Sequence, residues 1–285
     1  MWKSLPILAA GGFALGGIWE MSRFEVTDFS AGGNGGTQMR CAVLSDIHDK
    51  EYGRGNIHLI SAVSRISPDV ILMPGDLVTV DRSTCLLPEE NLYKARALVR
   101  ALSGIAPVIF SPGNHERRLK VKNPEVYGRF KSMMESEGMT ILENRTVVME
   151  IRGKQVAFTG VDLPLSCYRR FGNGRDVTLD DLKSILPDPV EGAANVLLAH
   201  HPDFFPEYAK WGADVVFSGH KHGCLVRVPG IGSVVGPDFT LFPDYDAGEF
   251  RYGKSTMYVS RGLGTHTINV RVFDRAQVVN ALIRI

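Results

Sequence analysis

Short, uniformly apolar runs alternate along this chain with longer stretches whose apolar positions recur at helical spacing. Residues 41–44 (CAVL) read as a buried strand, and residues 57–66 (IHLISAVSRI) place apolar side chains along one helical face. Residues 70–73 (VILM) predict a second strand, 91–102 a second helix and 108–110 (VIF) a third strand. This order predicts parallel strands joined by right-handed crossovers, with helices on the sheet faces. Residues 124–136 predict another helix, after which runs at 146–151 and 156–160 have the texture of hairpins. Apolar strands return at 196–199 and 215–218, with a helix between Asp203 and Trp211. The tail is strand-dense at 225–228, 256–259, 267–272 and 278–283. Two packed sheets with helices outside would absorb this many strands.

The N-terminus breaks the pattern. Residues 5–19 carry no charge, and with Met1, Trp2 and Met21 they approach the length of a spanning helix, which needs about 20 apolar residues. A secretory leader also fits, because Ala14-Leu15-Gly16 offers a small-x-small cleavage pattern. Gly12 and Gly16 form a G-x-x-x-G pair of the kind that seats a partner helix. Lys3 precedes the run, and Arg23 follows it among Glu20, Glu25 and Asp28, a slight bias toward an N-terminus inside. The sequence SAGGNGG at 30–36 reads as a flexible spacer. The expectation is a membrane anchor or signal segment with its spacer at 1–36 and one catalytic domain at 37–285. That domain would be extracytoplasmic and held at the membrane by the single N-terminal segment.

Composition adds exclusions. The 285 residues, 44% of them hydrophobic, suffice for one large core. A net charge of +1 gives no basic balance, so no specific nucleic-acid partner is inferred. Cys41, Cys85, Cys167 and Cys224 stand far apart, which suits neither a disulfide framework nor a zinc knuckle.

The chemistry sits at strand ends. SDIH (45–48), GD (75–76), GNHE (113–116), AHHPD (199–203) and GHKH (219–222) each closely follow an apolar strand. Ligands of open α/β sheets bind outside the carboxyl ends of strands, so these segments would share one rim. Any one alone is weak: D-x-H is a common turn, and glycine with aspartate is routine turn chemistry. Together they collect Asp46, His48, Asp76, Asn114, His200, His220 and His222. Carboxylate and amide oxygen mixed with imidazole suits first-row divalent ions such as Mn, Fe or Zn. Such a set is too large for one tetrahedral site and about right for two adjacent ions sharing a carboxylate.

The order D-x-H, G-D, G-N-H-E, H-x-P and G-H-x-H resembles the calcineurin-like metallophosphoesterase family, from about Arg40 to the C-terminus. FPDYDAGEF (242–250) and MYVSRGLG (257–264) resemble its bacterial membrane-associated branch. The resemblance implies an α/β fold, a four-layer α/β/β/α sandwich of two mixed sheets flanked by helices. It implies two divalent metal ions (Mn, Fe or Zn) and hydrolysis of a phosphodiester, phosphomonoester or pyrophosphate by metal-activated hydroxide. Asp46, His48 and His222 would hold the first ion, Asn114, His200 and His220 the second, and Asp76 would bridge them. His115 would stabilise the transition state or protonate the leaving oxygen, with Glu116 positioning its ring. His201 is the alternative to His200 in the AHHPD pair.

After GHKH the branch reads Gly-Gly-Gln, whereas this chain has Gly223-Cys224-Leu225, which bears on substrate recognition. Asp49, Lys50 and Lys221 could touch substrate but read most simply as solvated loop charges; one of Arg117 and Arg118, or Arg261, could contact phosphate, with surface arginines as the default, and His58 and His266 read as structural or exposed. The N-terminal anchor points to a lipid-linked or envelope phosphate ester as partner. A catalytically inactive scaffold for protein interaction is the alternative, disfavoured because the ligand set is complete. A dinucleotide-binding oxidoreductase fails, since no G-x-G-x-x-G follows the first strand.

Overall fold

The apolar runs at 70–73 and 196–199 lack alternation because each lies inside a sheet covered on both faces. In β3 (Val70–Pro74), Val70 and Leu72 enter the core between two sheets, while Ile71 and Met73 enter the core under helices. In β8 (Ala194–Ala199), Val196 and Leu198 face the inter-sheet core, and Leu197 and Ala199 the outer one. Three separate cores of this kind define four layers.

The computed structural model describes residues 23–31, 36–168, 174–222, 226–228, 232–235, 242–265 and 274–285. One sheet has the order β1 (Phe24–Ala31), β14 (Ala276–Arg284), β2 (Gln38–Val43), β3, β4 (Val108–Ser111), β5 (Met139–Ile141). The other runs β12 (Gly248–Tyr252), β13 (Ser255–Val259), β9 (Val215–Ser218), β8, β7 (Lys154–Val161), β6 (Thr146–Ile151). Both are mixed: β2, β3, β4 and β5 are mutually parallel, as are β7, β8, β9 and β13, whereas β14 runs against β2, β12 against β13 and β6 against β7. A hairpin of β10 (Val226–Val228) and β11 (Gly232–Val235) stands apart from both sheets. Helices α1 (Ile57–Ile66), α2 (Glu89–Ser103), α3 (Asn114–Lys122) and α4 (Pro124–Ser136) cover the first sheet through Leu59, Leu98, Leu119 and Phe130. Helices α5 (Leu179–Ile185) and α6 (Phe205–Trp211) cover the second through Leu182, Phe205 and Tyr208. This is the four-layer α/β/β/α sandwich that the sequence implies.

Helices 57–66 and 124–136 and strands 146–151 and 215–218 have the expected bounds. The strand expected at 267–272 lies outside the described residues, as do His266, Gly223-Cys224-Leu225 and the apolar run at 5–19.

The boundary between 36 and 37 requires correction, because Phe24–Ala31 is a strand of the first sheet, parallel to β14. Phe29 and Ala31 are buried in the inter-sheet core, and the Phe29 ring lies 4.6 Å from that of Tyr258. The local sequence, next to an apolar segment and before glycines, hides a strand whose partner is at the far end of the chain. Removing residues 1–36 should therefore lower stability by about 3 kcal/mol or more, since burial of one phenylalanine alone is worth roughly 1.5–3 kcal/mol. Removing only residues 1–22 should leave the urea midpoint unchanged. Equal midpoints for the two truncations would contradict the contribution of β1.

Candidate metal centre

Parallel strands deliver the polar segments to one rim. SDIH follows β2, GD follows β3, GNHE follows β4, AHHPD follows β8 and GHKH follows β9. The loops are laced by backbone bonds: Asp46 N–H donates to Gly75 O at 3.1 Å, His48 N–H to Asp76 O at 3.2 Å, and Gly219 N–H to His200 O at 3.1 Å. Leu263 N–H in the SRGLG turn reaches Ser45 O at 3.0 Å, tying the end of β13 to the same rim.

The backbone is strained where the chemistry is. Asp46, His48, Asp76, His220 and His222 all have φ between 48° and 70°, a region that costs side-chain-bearing residues about 1 kcal/mol or more each. Glycine lets the loops close on one another: a Cβ on Gly75 would meet His200 Nδ1 at 2.5 Å, and one on Gly219 would collide with Asp46 Oδ2.

The side chains converge in two overlapping groups. Asp46, His48 and His222 offer ligand atoms within 4.8 Å of one another, and so do Asp76, His200 and His220. His48, Asp76 and His115 form a third such group between them. His222 Nε2 lies 3.3 Å from Asp46 Oδ1 and 3.2 Å from His48 Nε2. Asp76 joins the groups: its Oδ2 is 3.6 Å from His48 Nε2 and 3.2 Å from His200 Nε2, while its Oδ1 accepts the His115 N–H at 2.9 Å. Asp46 is fixed by Ser45 Oγ–H at 2.6 Å and by the His220 N–H at 3.0 Å. Of the AHHPD pair, His200 is the one brought against Asp76.

Outer contacts set the tautomers. His200 Nδ1–H donates to Pro74 O at 2.8 Å and His222 Nδ1–H to Gly264 O at 3.3 Å, so each presents Nε2 as the lone-pair donor. Asn114 Oδ1 is buried and has no hydrogen-bond partner among the described residues, an unmet acceptor suited to a cation. Burial would lower the His200 pKa, yet Asp76 and Asp46 push it up to about 10. Burial would raise Asp76, yet His200, His115 and His48 hold it well below the usual carboxylate range. The carboxylates thus demand compensating positive charge, which divalent cations supply. Burial holds His220 neutral by lowering its pKa, as a ligand requires. The donor set therefore fits two divalent ions.

His115 is fully buried and neutral, its pKa lowered to about 4 chiefly by burial, with Arg118 and Arg82 adding to the effect and Asp76 opposing it. Its Nδ1 accepts the Val80 N–H at 2.8 Å, which leaves the proton on Nε2. The expected role of Glu116 needs correction in detail: its carboxylate accepts from the amides of Asp76 (3.0 Å), Val78 (3.2 Å) and Gly113 (2.9 Å), and Val80 orients the His115 ring. Glu116 thus clamps the GD loop to the start of α3.

Lys221 also departs from expectation. It is buried, and its ammonium donates to Asp203 at 2.8 Å, tying GHKH to AHHPD. Asp49 accepts from Thr79 N–H and Asn91, each at 2.8 Å, and burial raises its pKa to about 6. Arg117 pairs with Asp162 at 2.8 Å, Arg261 with Glu25, and His58 is exposed. Tyr168 gave no signal in the sequence, yet its ring lies 5.1 Å from His201 and 5.3 Å from His220, walling that side of the centre.

The family model for calcineurin-like phosphoesterase matches residues 39–224. A Danio rerio transmembrane protein with metallophosphoesterase domain is 27% identical over 259 residues, covering 86% of this chain and 53% of that protein. This chain thus spans about half the length of that relative. Escherichia coli phosphodiesterase YaeI is 28% identical over 257 residues, covering 87% and 83% of the two chains. Chlamydia muridarum UDP-2,3-diacylglucosamine pyrophosphatase LpxG is 24% identical over 270 residues, covering 79% and 78%. The chain belongs to the calcineurin-like phosphoesterase family and is a metal-dependent phosphoric ester hydrolase.

Proposed function

We propose that the centre is binuclear and hydrolyses a phosphodiester, phosphomonoester or pyrophosphate, with Asp46, His48 and His222 on one ion, Asn114, His200 and His220 on the other, and Asp76 shared. The observation that carries this reading is the division of Asp76: Oδ1 is held by the His115 amide, and Oδ2 lies between imidazoles of the two groups. Two divalent cations, Mn, Fe or Zn, supply charge neutralisation for phosphoryl oxygens and an acidified water as nucleophile. The protein's own part is orientation. Pro74 and Gly264 carbonyls aim Nε2 of His200 and His222, Ser45 fixes Asp46, and Glu116 keeps the loops in register. His115 Nε2–H donates a hydrogen bond to the leaving oxygen and stabilises the charge that develops there.

The substrate reading adds a membrane. The charge-free run at 5–19 would anchor the domain on the extracytoplasmic face, and the name of LpxG suggests a lipid-linked phosphate ester. Among the described residues no helix is long and apolar enough to cross a membrane, so this rests on the N-terminal run. The truncation lacking residues 1–22 decides it: if that protein fractionates with membranes like the full chain, the anchor is wrong.

Hydrolysis of bis-p-nitrophenyl phosphate and p-nitrophenyl phosphate, after chelation and with manganese restored, tests the activity itself. Turnover is expected to vanish on chelation and return with the metal, and the ratio of rates separates diester from monoester preference. Absence of turnover with Mn, Fe or Zn, together with calorimetry showing no pair of bound ions, would overturn the reading.

A further inference from the structure

Helix α3 carries more than its first turn to the centre. Arg118 follows Asn114 by four residues and His115 by three, so all three share one helical face, with Cβ atoms about 5–6 Å apart. Helical side chains lean toward the N-terminus, which here is the metal rim. The charge of Arg118 is felt at His115, in keeping with that placement.

Its neighbours on the helix are engaged elsewhere. Arg117 pairs with Asp162, and Lys120 with Asp162 and Glu143. Among the described residues, no carboxylate lies within ion-pair distance of Arg118, and its Nη1 is buried without a hydrogen-bond acceptor. A shielded guanidinium donor with no acceptor costs free energy unless a ligand completes it. Guanidinium matches phosphate oxygens in geometry and charge.

We propose that Arg118 binds a second phosphate on the leaving-group side of the scissile bond, so that the preferred substrate carries a P–O–P linkage. This rests on the hydrolase reading above, in which His115 faces the leaving oxygen. Water adds to the phosphorus held at the ions, the bond from that phosphorus to the bridging oxygen breaks, and the electron pair departs with the second phosphate. The released oxygen leaves as a phosphate anion that accepts a hydrogen bond from His115 Nε2–H, the proton of the attacking water passes to solvent, and Arg118 takes up the charge of the departing phosphate. A single-phosphorus diester leaves the guanidinium without a partner.

The test compares UDP-glucose and farnesyl diphosphate, nucleotide-linked and lipid-linked sources of the same linkage, with bis-p-nitrophenyl phosphate. Arg118→Met should lose roughly 10²–10³-fold in kcat/KM on whichever diphosphate is used, the scale of removing one transition-state donor. The loss on bis-p-nitrophenyl phosphate should be at least ten times smaller, and Arg118→Lys should recover part of the diphosphate rate. Equal losses on all substrates would mark a merely structural arginine and overturn the proposal. Calorimetric binding of inorganic pyrophosphate and phosphate at matched free manganese decides the matter even if no turnover is seen. Wild type should prefer pyrophosphate and Arg118→Met should not; an unchanged preference overturns the role of Arg118 without touching the hydrolase reading.

Discussion

Asp76→Asn is expected to lose at least about 10³-fold of the metal-dependent hydrolysis rate, more than the 10–100-fold typical of an outer-sphere partner. Asparagine keeps the shape and still offers Oδ1 to the His115 N–H, so the GD and GNHE loops should stay joined. It removes the charge shared by both metal groups, and it can turn an amide N–H₂ toward His48 and His200, which face Oδ2 in the native protein. Metal content by mass spectrometry should fall while far-UV circular dichroism is retained. A variant that keeps a tenth of the wild-type rate with both ions bound would show that Asp76 is not the shared ligand.

His115→Ala should discriminate between leaving groups. With an alkyl phosphodiester, whose departing alkoxide gathers nearly a full charge, a loss of about 10²–10³-fold is expected for removal of one positioned hydrogen-bond donor. With bis-p-nitrophenyl phosphate the leaving phenolate is stable at neutral pH, and the loss should stay within roughly tenfold by the same reasoning. The structure prepares this role: burial keeps His115 neutral, and the Val80 amide on Nδ1 leaves the proton on Nε2. An equal loss on the two substrates would assign His115 to loop structure or to the transferred phosphoryl group and remove it from the leaving oxygen.

Much of the centre was legible in the chain because local chemistry marks it. Apolar runs such as VILM and VVFS end at glycine, aspartate or histidine, and parallel strands must all bring those ends to one rim. Imidazole, carboxylate and amide groups at those ends then mark the candidate ligands. The alternation of Ile71 and Met73 against Val70 and Leu72 was hidden, because a strand covered on both faces carries no periodicity.

Other features depended on partners distant in sequence. Phe24–Ala31 is a strand only because Ala276–Arg284 lies beside it, and nothing within the octapeptide announces that pairing. Lys221 reads as a solvated charge until Asp203, on the loop after β8, takes its ammonium in a buried site. Glu116 reads as a companion of the adjacent histidine, but its oxygens are claimed by amides of residues 76 and 78, brought near by the β3–β4 pairing. The sequence by itself determined which side chains could bind metal and which strand ends present them, since both are properties of local composition and period. The tertiary structure alone decided that Asp76 lies between the two groups, that Val80 sets the His115 tautomer and that Arg118 has no acid within ion-pair distance among the described residues. Those are distances between residues remote in the chain, fixed only when the two sheets pack.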